Sequence, residues 1–116
     1  MTKATGTYYA VTPGTSVWLT LRIGTAGFAA TDLVVGGALV LDRHEGDLRY
    51  DLGDAADLHL VEVKCYTTIK GSTHQAPNRV DYELTGGAVP WRATLREEPP
   101  DTAHDTFTAE FVLHHP

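Results

Sequence analysis

Few residues in this chain of 116 are of types that do covalent or metal chemistry: one cysteine, six histidines and two serines, beside an acidic run. A cysteine nucleophile works as the thiolate and needs a basic or cationic neighbour to hold it so. Cys65 instead shares a face with Val61, Val63, Thr67 and Ile69 in an alternating segment. A thiol on such an apolar face stays protonated and packs as a small hydrophobe. His59 lies six residues away on the same segment, about 20 Å along extended chain, so no local Cys–His dyad forms. Only His74 stands in a loop that can fold back toward that strand.

Metal binding needs ligands that recur at short, face-sharing spacings. The chain has no His-Glu-x-x-His and no Cys-x-x-Cys, and the adjacent His114 and His115 point to opposite faces of any strand. Asp47, Asp51, Asp54 and Asp57 are a calcium candidate, because a hard cation takes several carboxylates from one loop. They lack the alternating order of an EF-hand, and the leading reading is a solvated acidic loop in which Asp54 caps one short helical turn. Neither Ser16 nor Ser72 stands in a Gly-x-Ser-x-Gly elbow, and no phosphate or dinucleotide loop is present. No catalytic residue, structural metal or cofactor is assigned. Carboxylates brought together by two strands are the remaining catalytic route.

These residues ride on short segments with the period of two that belongs to strands. Two are long, Leu58–Lys70 and Arg79–Thr85, the second with Val80, Tyr82 and Leu84 on one face, and they read as the central pair of one sheet. Ahead of them, Gly6–Thr12 reads as an edge strand stopped by Pro13-Gly14, and Ser16–Ile23 turns Val17, Leu19, Leu21 and Ile23 inward. Phe28–Val35 is an apolar stretch that Gly36-Gly37 turns into Ala38–Leu41, a hairpin signal. Asp42–Gly46 reads as a polar connection, and Leu48, Tyr50 and Leu52 mark another short strand. Leu58 and Leu60 fall on the opposite parity from Val61, which predicts cover on both faces where that strand begins. Trp91–Arg96 and Thr106–Leu113 then alternate in turn, the last with Phe107, Ala109, Phe111 and Leu113 facing in.

About eight short strands punctuated by Gly and Pro predict one all-β domain over residues 1–116. The expected fold is a two-sheet antiparallel β-sandwich of about 7–9 strands, immunoglobulin-like in architecture, with a small β-barrel as the alternative. At 42% hydrophobic and 21% charged residues the chain is unlike a disordered one. The net charge of −6 concentrates in residues 42–57 and 97–110, which repel phosphate and argue against nucleic acid. No apolar run has the length of a leader or a membrane span, so the expectation is a cytoplasmic chain with no membrane association.

What remains is binding. Trp18 and Tyr66 fall on the polar faces of well-patterned strands, and Tyr9 lies on the N-terminal edge segment; outward aromatics and open edges are how sandwiches engage other chains. The sequence therefore points to a non-enzymatic protein-interaction or assembly module acting through a sheet face or edge strand, with a protein partner or further copies of itself. A small-ligand or carbohydrate-binding sandwich using its end loops is the alternative, and a small enzyme with strand-borne carboxylates the second alternative.

Overall fold

The structure, a computed structural model, describes residues 2–9, 15–72, 76–87, 90–98 and 104–114, with Thr2 and residues 7–9 described by their backbone. Among the described residues the strands run β1 (Thr2–Tyr9), β2 (Ser16–Gly24), β3 (Phe28–Val35), β4 (Ala38–Glu45) and β5 (Leu48–Asp54). After one 3-10 turn at Ala55–Asp57 follow β6 (Val61–Lys70), β7 (Asn78–Thr85), β8 (Trp91–Glu97) and β9 (His104–His114). They form two packed sheets, ordered β1-β9-β6-β3-β4 and β5-β2-β7-β8. Neighbours are antiparallel except β1, which runs parallel to β9. The sandwich, rather than a closed barrel, is the fold, since each sheet keeps two edge strands.

The alternation read from the sequence sets the core. Val17, Leu19 and Leu21 of β2, Val63, Cys65 and Ile69 of β6, Val80, Tyr82 and Leu84 of β7, and Phe107, Phe111 and Leu113 of β9 are all buried between the sheets. Each fully buried Val, Leu, Ile or Phe contributes ~1.5–3 kcal/mol relative to exposure. On one side the sheets close at a corner where the Trp91 indole stacks edge-on against Phe111 at 4.7 Å and lies over Gly6. A Cβ at Gly6 would stand 2.8 Å from Trp91 Cζ2, so this approach of β1 to β8 requires glycine.

Three expectations are corrected. The segments around Cys65 and Tyr82 are not one hydrogen-bonded pair: β6 lies between β3 and β9, and β7 between β2 and β8 in the other sheet. Alternation tells which face of a strand is buried but not whether the apolar neighbour lies beside it in the ladder or across the ~10 Å gap between sheets. Leu58 and Leu60 do not begin β6 under two-sided cover. Leu58 is buried as the C-cap of the 3-10 turn, while Leu60 turns the chain at φ 61 with its side chain 60% exposed. Finally, Asp42–Glu45 continues β4, where a loop was expected. The register between β3 and β4 shifts on both sides of Leu33, and Arg43, at φ 51, donates its amide to Asp32 Oδ1 at 2.7 Å. Such bulges hide a strand from a sequence pattern and twist a sheet edge away from further pairing.

Two local expectations hold. Gly36 and Gly37 turn β3 into β4 with φ 59 and 83, the left-handed conformations that such a hairpin needs. Asp54 caps the 3-10 turn by accepting the amide of Ala56 at 2.8 Å. The N-terminal strand is an edge as expected but begins at Thr2, and residues 10–12 of the expected segment lie outside the described residues.

Candidate functional site

β3 carries apolar residues on both faces. Ala29 and Val35 pack against the core with buried Thr31 and Leu33, whereas Phe28, Ala30, Asp32 and Val34 face outward. In register with the outward set lie Lys70 beside Phe28, Thr68 beside Ala30, Tyr66 beside Asp32 and, from β4, Leu39 beside Val34. Phe28 is 86% exposed, Leu39 56% and Tyr66 39%. A shallow depression of about 710 Å³ opens on this face between Phe28, Tyr66, Lys70, Arg43 and Glu45. A strand apolar on both faces is the pattern of one covered on both faces. Here the chain itself covers one.

The charges on this face are balanced. Across β1, β9, β6 and β3 the outward charged side chains are Lys3, Lys64 and Lys70 against Glu110, Glu62 and Asp32. Two pairs meet within the face, Lys3 Nζ with Glu110 Oε2 at 3.3 Å and Lys64 Nζ with Glu62 Oε2 at 3.9 Å. Lys70, beside Phe28, makes no ion pair among the described residues.

The binding residues expected from sequence are not brought together. Tyr66 belongs to the face just described. Trp18 is outward too, but on the other sheet, where the Arg49 guanidinium covers its ring at 4.1 Å from the centroid. The surrounding face of that sheet is knitted by Arg92 with Glu83 and by the Thr94 hydroxyl donating to Asp81 at 2.7 Å. Tyr9 ends β1 opposite His114, and its side chain lies outside the described residues. Sequence reasoning missed Phe28 and Leu39; the available signal was the absence of any polar face on Phe28–Val35.

The acidic candidates are likewise dispersed. Asp47 accepts the Ile23 amide of β2 at 2.8 Å, while Asp51 accepts the Gly53 amide at 2.9 Å and Asp54 the Ala56 amide, each within its own turn, and Asp57 ends the 3-10 turn. Among the described residues no three His, Cys, Asp or Glu side chains group as metal ligands. Millimolar calcium is expected to leave the melting temperature unchanged, a rise of several degrees being the sign of specific binding to the folded state.

Cys65 is fully buried, and burial pushes its thiol from an ordinary 9.0 up to about 12. His74 lies outside the described residues. The Tyr82 hydroxyl lies near Thr67 and Cys65 without a hydrogen bond of normal geometry, and burial raises its pKa as well. Thr67 is already bonded to Thr31, Oγ1 to Oγ1, at 2.8 Å. Cys65 should therefore resist alkylation in native buffer. The folded chain also keeps the thiol proton where the unfolded chain releases it, so stability falls as pH rises from about 9 toward 12, by up to ~4 kcal/mol from this group. Urea midpoints measured across that range check this, and Cys65→Ala should flatten the decline.

Among the described residues no helix is long and apolar enough to cross a membrane. No protein-family model, no curated protein and no solved structure matches this chain, so the case for its function rests on the geometry of its own faces.

Proposed function

We propose that the protein is a non-enzymatic assembly module that binds a second copy of itself through the outward face of its five-stranded sheet. One observation carries the reading: the outer side of β3 presents Phe28, Ala30 and Val34 around a single Asp32, and with Phe28 86% exposed no layer of the described residues covers it. Exposed apolar surface rimmed by charged residues marks interaction sites. The charge pattern selects the partner. The chain as a whole carries −6, which opposes self-association over most orientations, whereas β1, β9, β6 and β3 present three lysines and three carboxylates on this face, and β4 adds Arg43 and Glu45 at the depression. Two copies meeting there escape the general repulsion, and a two-fold arrangement sets Lys70 of each copy, which makes no ion pair among the described residues, against carboxylates of the other. The immunoglobulin-like description applies on this reading to the two-sheet layering alone, and no function follows from architecture.

Hydroxyl-radical footprinting at increasing protein concentration tests the proposal. Phe28 and Tyr66 should lose reactivity together as the concentration rises, while exposed side chains elsewhere keep theirs. Reactivity of Phe28 that is independent of concentration contradicts it. Protection by a glycan at fixed dilute protein would instead support a carbohydrate-binding sandwich, working at this face rather than through the end loops that the sequence suggested.

A further inference from the structure

A second depression, of about 350 Å³, lies at the end of the sandwich between the β2–β3 turn and the start of β7, and its two charged lining residues are Arg79 and Arg96. These arginines are direct cross-strand partners, on β7 and β8. Like charges placed opposite each other in a ladder destabilise it. Among the described residues no carboxylate lines the depression, whose other lining residues are Gly24, Thr25 and Ala26 of the turn with Ala76 and Pro77. Each guanidinium is held by a carboxylate two residues further along the chain: Arg79 Nε to Asp81 Oδ2 at 3.3 Å, and Arg96 Nη2 to Glu98 Oε2, just past β8, at 2.8 Å. Asp81 is itself held by the Thr94 hydroxyl at 2.7 Å. Each tether engages one nitrogen of a guanidinium that carries five N–H donors.

We infer that Arg79 and Arg96 form a site for a phosphate or sulfate group, seated between the two guanidiniums at the mouth of the β2–β3 turn. A guanidinium offers its donors in a planar fork that matches paired oxygens. A carboxylate is satisfied by one such fork, whereas a tetrahedral dianion has oxygens enough for two converging forks. The setting makes the site selective: a chain of net charge −6 holds anions poorly by general attraction, so binding must come from this local geometry.

The test titrates inorganic phosphate, sulfate and acetate into the full chain at constant ionic strength, following the arginine Nε–Hε resonances by NMR. Phosphate and sulfate should move the Arg79 and Arg96 signals saturably in the millimolar range, with acetate much weaker. Arg79→Gln and Arg96→Gln should each weaken phosphate binding about tenfold or more, as expected for loss of a charge-assisted fork. Both side chains are half-exposed, so the variants should keep the wild-type spectrum elsewhere, which separates lost binding from lost fold. Shifts that stay linear to high phosphate, equal binding by the double variant, or acetate binding as tight as phosphate would each overturn the inference.

Discussion

Replacing Phe28 by aspartate is expected to abolish self-association while leaving the fold intact. The ring is 86% exposed in the single chain, so its loss removes almost no internal contact, and the melting temperature should stay close to wild type. In the proposed assembly the same ring is the largest apolar side chain on the interacting face. A desolvated aromatic anchor of this kind is worth about 2 kcal/mol or more, which is roughly a thirtyfold change in dissociation constant. A carboxylate in its place adds the cost of burying a charge and sets like charges across the two-fold, taking the loss further. Tyr66→Ala should act in the same direction and more weakly, since Tyr66 is 39% exposed. Trp18→Ala is the control: it removes the ring under Arg49 on the opposite sheet and should leave assembly unchanged. Light scattering of the three variants at matched concentration reads the ranking directly.

The largest effect on stability is expected at Asn78. It is fully buried at the start of β7, where its Oδ1 accepts the hydroxyls of Thr25 at 2.7 Å and Ser72 at 2.8 Å and its Nδ2 donates to Asp105 Oδ2 at 2.6 Å. Thr25 in turn accepts the amide of Gly27 at 3.0 Å. One side chain thus ties the β2–β3 turn, the end of β6 and the start of β9. Asn78→Ala strips a partner from two hydroxyls and a carboxylate at once. The unmet desolvation of such groups costs about 3 kcal/mol or more, and for a domain of this size about 4 °C of melting temperature per kcal/mol. A fall of about 12 °C is therefore expected. Ser72→Ala, which loses one hydroxyl from the same network, should cost about 1 kcal/mol. A loss below 1 kcal/mol for Asn78→Ala, measured by urea unfolding, would mean that the network is not what holds this end together.

The limits of the sequence follow from particular residues. Val17, Leu19 and Leu21, or Val63, Cys65 and Ile69, alternate with polar neighbours, and their burial could be read off directly. Phe28–Val35 gave no such contrast because it is apolar on both sides, so Phe28 could not be assigned a face. That ambiguity marked the candidate site itself, an apolar strand with one face unlayered. Tyr66, flanked by Lys64 and the inward Cys65 and Thr67, was legible by parity. The cover over Trp18 was not, since it depends on β5 lying beside β2, which places Arg49 next to Thr20. Asn78 and its partners come from four separate segments, and a buried polar network of that kind has no local sequence signal.

Sedimentation velocity of the unmodified chain, from micromolar to near-millimolar concentration, separates self-association from a lasting monomer. The sedimentation coefficient should rise with concentration toward that of a dimer, and a Phe28→Asp chain should stay at the monomer value throughout. A wild-type chain that remains monomeric over the whole range, or a dimer that persists with aspartate at position 28, would contradict assembly through this face.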